Sequence, residues 1–407
     1  MSATIDYSTI TPTGAVHRSG DLSYAYLPAP TVQAHAANLA VLPGGDLGCV
    51  WFGGTQEGVP DISIWFSRLA RSADGAWGGS WSEPVQLSDD PARSEQNPIL
   101  FNHGGQLWLL YTAQKAGNQD SSEVRRRISH DGGATWGPVE TLFPTTEEGG
   151  VFVRQVPVVV DGRIMVPVFR CLTVPGEKWV GDADDSAVMV SDDDGATWRR
   201  QLVPESVGCV HMNIHALPDG SLLALYRSRW ADWIYESRSA DRGETWSAPV
   251  ATDLPNNNSS IQFAPLDDGR LALIYNHVQA DANTERRASL YDEIDDEGLA
   301  DEQEAVPEPS PAAADDGRRR AFWGTPRAPM TVALSNDGGR SWPVRRNLDE
   351  GDGYCLSNNS REGLNREFSY PSILQTEDGA VHAAYTYFRQ AIKYVRFDPE
   401  WVAGGAE

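Results

Sequence analysis

One octapeptide recurs along the chain and limits what it can fold into. It reads "SHDGGATW" at 129–136, "SDDDGATW" at 191–198, "SADRGETW" at 239–246 and "SNDGGRSW" at 335–342. All four fit S-x-D-x-G-x-[ST]-W. The pattern is that of a tight turn: the aspartate accepts backbone N–H groups, and glycine supplies a positive φ. The tryptophan that follows is placed to pack between neighbouring sheets. These aspartates are therefore read as parts of the fold rather than as catalytic or metal-binding groups. The stretch "SADGAWGGSW" (72–81) reads as a degenerate fifth copy.

A second pattern keeps phase with the first. Six segments each run strand, glycine-containing turn, strand: "HAANLAVLPGGDLGCVWFGG" (35–54), "QNPILFNHGGQLWLLYTA" (96–113), "RQVPVVVDGRIMVPVFR" (154–170), "HMNIHALPDGSLLALYR" (211–227), "SSIQFAPLDDGRLALIYN" (259–276) and "YPSILQTEDGAVHAAYTY" (370–387). A third strand follows in most units, and the box turns lead into a fourth. Six such units predict an all-β fold, a six-bladed β-propeller of four-stranded antiparallel blades with the box turns at one edge. The whole of 1–407 reads as one domain. The last unit has no box, so the segment near "LSYAYL" (22–27) is expected to close the ring and remove two open sheet edges. An acidic, Pro- and Ala-rich stretch at about 294–320 reads as a surface insertion in blade five.

Composition agrees: 14 Trp, 38 Gly and 26 Pro in 407 residues suit many short strands and tight turns. A net charge of −24 argues against a general nucleic-acid or anionic-membrane surface. Cys49, Cys171, Cys209 and Cys355 fit no zinc spacing and are read as reduced structural residues. No metal or cofactor is expected. No apolar run approaches ~18 residues, and the start lacks a signal pattern, so a cytoplasmic location is the expectation. Oligomeric state has no sequence signature here.

The box and the six-fold hairpin period resemble the sialidase (neuraminidase) superfamily in its Asp-box (BNR-repeat) form, over nearly the whole chain. That resemblance implies a retaining glycosidase with three arginines on the substrate carboxylate, a tyrosine nucleophile, a glutamate beside it and an aspartate as acid/base. Arg227 in "LLALYRSR" matches the arginine ending the second strand of blade four. Arg327 in "TPRAPMTVALSNDGG" matches the one before the fifth-blade box. Tyr370 in "SYPSI" matches the tyrosine, and Glu57 or Asp61 in "TQEGVPDI" supplies the loop carboxylate. Two positions depart. His35 stands where the first-blade arginine is expected, and His211 where the tyrosine's glutamate is expected.

The inner strands carry a candidate pocket of their own. Each begins with polar residues where a buried strand should be apolar: His35 and Asn38; Gln96 and Asn97; Arg154 and Gln155; His211 and Asn213; Asn257, Ser259 and Gln262; Tyr370 and Ser372. Six blades aiming polar groups at one end of a channel form a convergent polar cavity. Arg227 and Arg327, with Arg154 and Arg366 as further candidates, match the planar geometry of a carboxylate. The partner expected is an acidic carbohydrate. Trp51, Trp179, Trp230 and Trp233 lie outside the boxes and can pack or stack on a pyranose.

Tyr370 and His211 admit two chemistries. In one, His211 takes the phenol proton, Tyr370 attacks the anomeric carbon, and Glu57 or Asp61 protonates the leaving group. In the other, His211 or Tyr370 removes the proton beside a uronate carboxylate and His35 or the other residue protonates the leaving oxygen, a β-eliminating lyase. A third reading keeps the arginines but not the turnover, leaving a non-catalytic acidic-sugar-binding propeller. The tyrosine beside a histidine and a loop carboxylate favours an enzyme over a binder; the resemblance puts the glycosidase first, while histidine in place of glutamate suits elimination.

Overall fold

The computed structural model describes residues 10–72, 75–289, 294–295, 298–299, 317–355 and 363–405. It is a six-bladed β-propeller of antiparallel sheets. From the channel outward, blade one runs Gln33–Val41, Leu47–Gly54, Ser63–Arg71 and Trp77–Trp81. Blade two runs Ser94–His103, Gln106–Lys115, Asn118–Ser129 and Glu140–Phe143. In blade three the inner strand is split into Gly149–Val153 and Val158–Val160; both pair with Arg163–Leu172, followed by Asp185–Ser191 and Arg199–Leu202. Blade four is Cys209–Ala216, Leu222–Ser228, Trp233–Ser239 and Val250–Pro255. Blade five is Gln262–Pro265, Leu271–Asn276, Met330–Ser335 and Val344–Asp349.

Blade six closes the ring as the sequence suggested. Phe368–Gln375, Val381–Tyr387 and Ala391–Phe397 are joined by Leu22–Tyr26 from the other end of the chain, with Tyr24 opposite Val395. His17–Ser19 adds a fifth strand outside it.

Each box turn is built alike. Asp193 Oδ1 accepts from Thr197 N at 2.8 Å and Oδ2 from Thr197 Oγ1 at 2.6 Å, while Ser191 Oγ accepts from Gly195 N at 2.8 Å. These bonds stabilise the charged carboxylate, and its pKa falls to about 2. Gly195 has φ +83, and a Cβ there would lie 2.7 Å from the Trp108 ring of the preceding blade. Gly243 and Gly339 approach Met165 and Leu223 in the same way, so the boxes dock each blade on the one before it. The degenerate stretch 72–81 ends instead in the strand Trp77–Trp81, with both tryptophans buried; its residues 73–74 lie outside the described set.

Most of the expected 294–320 insertion also lies outside the described residues. Where the chain returns, Arg319 pairs with Asp232 at 2.6 Å and Arg320 with Asp182 at 2.9 Å. The four cysteines are free thiols and buried. Among the described residues no cluster of metal-ligating side chains occurs, and no helix is long and apolar enough to cross a membrane.

Candidate functional site

The inner strands do not enter the channel mouth as regular strands. Blades one, two, four and six slip register between His35 and Asn38, Gln96 and Ile99, Val210 and Asn213, and Ser369 and Ser372. Each slip contains a non-glycine residue in the left-handed region: Ala36 (φ 62), Asn97 (φ 51), His211 (φ 54) and Tyr370 (φ 50). Such a bulge re-aims the side chains around it and costs about 1–3 kcal/mol per strained residue. The same device at four of six blades turns His211 and Tyr370 toward a shared centre.

Tyr370 is that centre. Its hydroxyl oxygen accepts from Arg227 Nη1 at 2.6 Å. Three guanidinium carbons surround its ring, Arg154 and Arg227 at 5.5 Å and Arg327 at 5.6 Å from the centroid. The His35 ring lies 4.3 Å from it and the His211 ring 5.6 Å, edge-on. His211 Nε2 is 3.4 Å from Arg227 Nη1, and Asn258 Oδ1 accepts from Arg227 Nε at 2.8 Å. Tyr370 is 5% exposed, Arg227 1% and His211 3%, so these charges act through little water.

Burial followed by the neighbouring guanidiniums, Arg227 first, holds the His211 pKa well below the usual histidine value. Burial followed by Arg389 does the same to His35. Both imidazoles are therefore neutral at pH 7, and an anion must offset the surrounding guanidiniums before either readily accepts a proton. Burial lowers Arg227 to about 9. Among the described residues its Nη2 has no acceptor, nor do Arg154 Nε and Nη1.

A second network adjoins the first. Arg389, from the turn after blade six's second strand, donates to Glu57 Oε2 at 2.7 Å and to Glu367 Oε1 at 2.9 Å. Glu367 also pairs with Arg327 at 3.3 Å and accepts from Ser369 Oγ at 2.7 Å. Burial opposes ionisation of Glu367, but Arg389 and Arg327 outweigh it and its pKa is lowered. On the opposite side Arg229 pairs with Asp184 at 2.6 Å. Its guanidinium carbon lies 5.0 Å from the Trp323 ring and 5.7 Å from Trp179. Trp179 Nε1 donates to Asp184 at 2.9 Å, and Trp323 Nε1 to Val180 O at 3.0 Å. These tryptophans come from the loops between the second and third strands of blades three and five, and the Trp323 ring also lies 5.6 Å from the Arg227 guanidinium carbon.

The structure thus brings together Tyr370, His211, His35, Arg227, Arg327 and Arg154. Of the first-blade carboxylates, Glu57 is tied to Arg389, whereas Asp61 is exposed and accepts from Thr55 N at 3.1 Å. Arg366 is directed away: it pairs with Asp352 at 2.7 Å and lies over Tyr354, because its neighbour Glu367 takes the inward-facing position.

Several polar residues of the ring serve as clips between blades. Asn38 Oδ1 accepts from Leu100 N at 3.0 Å, Asn213 Oδ1 from Phe263 N at 2.7 Å and Gln262 Oε1 from Ile373 N at 2.6 Å. Gln155 Nε2 donates to Ile261 O at 2.6 Å, whereas Asn257 Nδ2 donates within blade five, to Pro326 O at 2.9 Å. Gln96 donates to Ser94 Oγ at 3.0 Å, and Asn97 is a strained bulge residue with a buried Oδ1 that lacks a donor. Sequence reasoning missed Arg229, Asp184, Asn258, Glu367 and Arg389. All lie beside the strand register rather than in it. The "RSR" of 227–229, which puts two arginines on one face, is the available signal.

The profile of the BNR repeat-like domain family matches residues 45–383. No curated protein matches. Among solved structures, a Hadza microbial sialidase is similar at 14% identity and TM-score 0.64, covering 91% of this chain and 67% of its own. A protein of unknown function from Dyadobacter fermentans has 15% identity and TM-score 0.63, covering 96% and 99%. The leech intramolecular trans-sialidase has 14% identity and TM-score 0.63, covering 98% and 72%. At these identities the likeness is one of fold.

Proposed function

Because the chain belongs to the BNR repeat-like domain family, with sialidases among its structural neighbours, we propose that it cleaves the glycosidic bond of a terminal acidic sugar. One observation carries the reading: Tyr370 is ringed by three buried guanidiniums, and Arg227, which donates to its hydroxyl, has a further donor with no acceptor among the described residues. A buried cation without a carboxylate partner is costly unless an anion completes it. A sugar carboxylate between Arg227 and Arg327 meets that need.

The reaction then runs through Tyr370. Its oxygen attacks the anomeric carbon while neutral His211 takes the phenol proton. Asp61, exposed in the blade-one loop, protonates the leaving oxygen as the glycosidic bond breaks. Water, deprotonated by the same carboxylate, releases the sugar from Tyr370 and returns the phenol, with net retention. A neutral phenol suits this task because a carboxylate nucleophile would be repelled by the sugar's own charge. The cluster is nearly sealed, so substrate access requires the side chains around it to move.

A second reading, β-elimination from a uronate, is favoured by one specific feature. The phenol oxygen is met by a guanidinium and an imidazole lies beside the ring, the pairing that proton removal next to an arginine-bound carboxylate requires. The test is a panel of sialosides, other acidic nonulosonate glycosides and uronate-capped oligosaccharides, followed for both reducing sugar and the ultraviolet absorbance of an unsaturated uronate. Reducing sugar alone supports hydrolysis and absorbance supports elimination. Acidic-sugar binding with neither signal would sink the enzyme reading.

A further inference from the structure

One guanidinium in the channel has a setting unlike its neighbours'. Arg154 falls in the break of blade three's inner strand, between Gly149–Val153 and Val158–Val160. Free of the ladder, it crosses to the wall formed by blades one and six. Its Nη2 donates to the carbonyls of Ala37 and Tyr370 at 3.0 Å and of Pro371 at 3.1 Å. The side chain is 1% exposed, and among the described residues its Nε and Nη1 donors have no acceptor.

The other buried arginines here are compensated or face the mouth. Arg229 has Asp184, Arg327 has Glu367, and Arg389 has Glu57 and Glu367. Arg227 meets the Tyr370 hydroxyl. The groups that favour the charged form of Arg154 are a phenol and a thiol, Tyr370 and Cys49, and burial lowers its pKa to about 10. A water would satisfy its donors but leave its charge uncompensated.

A second buried donor lies on the same wall. Asn38 follows Ala37, whose carbonyl Arg154 grips, and is fully buried. Its Oδ1 is fixed by Leu100 N at 3.0 Å, which turns Nδ2 the other way, where no described residue accepts from it. The grip of Arg154 on the Ala37 carbonyl therefore sets its guanidinium one residue from Asn38 along the blade-one strand.

We propose that the channel behind Tyr370 binds a small inorganic anion, a halide, held by Arg154 and the Asn38 amide. A spherical monovalent acceptor suits N–H donors on a closed wall. The site does not depend on which sugar chemistry operates at the mouth. It bears on that chemistry all the same, because Arg154 is among the cations that keep His35 and His211 neutral. Bound halide screens Arg154 and raises the basicity of both imidazoles.

The experiment compares thermal unfolding in chloride and in methanesulfonate at constant ionic strength, with crystals grown in bromide to locate the ion by anomalous scattering. Wild type should melt higher as chloride replaces methanesulfonate, in proportion to the logarithm of chloride above its Kd. A bromide peak should lie beside Arg154. Arg154→Met removes the site and the fold together if it fails to fold, so Asn38→Asp carries the test. It keeps the oxygen that Leu100 N requires and places a carboxylate next to Arg154. Asn38→Asp should melt above wild type without chloride and show no chloride response. Equal melting of wild type in the two salts overturns the proposal. So does an undiminished chloride response in Asn38→Asp, or bromide found beside Arg227 and Tyr370 alone.

Discussion

Arg389→Met removes one cation from between two buried carboxylates, and the structure sets the size of the effect. Glu57 loses the guanidinium 2.7 Å away, while Glu367 keeps Arg327 at 3.3 Å and Ser369 at 2.7 Å. Removing one member of a buried ion pair costs about 3–5 kcal/mol, because the remaining charge is left without a partner. Unfolding entropy of about 2.1 cal/mol/K per residue gives roughly 0.85 kcal/mol/K for this chain of 407 residues. The expected drop in Tm is therefore about 4–6 °C, read by scanning calorimetry at pH 7. Adding Glu57→Gln should restore part of the loss, since the two residues share one interaction and their effects do not add. A Tm within about 1 °C of wild type would refute the account of this network. Strict additivity in the double variant would refute it equally.

Other outcomes follow from the same structure. Asn213→Ala strands the Phe263 N–H in the core and should cost about 1–3 kcal/mol in urea unfolding, with no comparable loss from the exposed Asn283→Ala. His35 and His211 titrate well below 6.5 in the folded protein, and His215 at about 4. The unfolded chain therefore takes up protons first as pH falls below about 6.5, and stability should decline by up to about 1.4 kcal/mol per pH unit for each histidine; a flat profile between pH 7 and 5 contradicts this. Asp193→Ala should lower Tm while leaving the kinetic constants unchanged, because the box carboxylate only ties its own turn.

The parts of this molecule that were legible in the sequence are those written as periodic pattern. The boxes and the six hairpins specify the blades, and "LSYAYL" closes the ring because the last unit lacks an outer strand. Tyr370, His211, His35 and Arg154, which the inner-strand pattern singled out, lie in one cluster with Arg227 and Arg327, which only the sialidase resemblance picked. The pattern cannot separate two uses of a polar inner residue. Asn213 and Gln262 are as buried and as polar as His211, yet their bonds go to the next blade's backbone. Arg366 and Glu367 illustrate a second limit, since one step along a strand exchanges faces. Glu367 holds Arg327 and Arg389, while Arg366 lies over Tyr354. Arg389 and Asp184 come from loops whose course depends on three-dimensional packing, so no local repeat announces them.

The central claim is that Tyr370 is the atom donor to the sugar. It is tested most directly by exposing the protein to a fluorinated acidic glycosyl fluoride, which slows release from the enzyme, and mapping the modified peptide by mass spectrometry. The account predicts one glycosyl adduct, on Tyr370, absent from Tyr370→Phe and slowed in His211→Ala. Turnover of an acidic glycoside with no adduct on Tyr370, or with full activity retained in Tyr370→Phe, would contradict it.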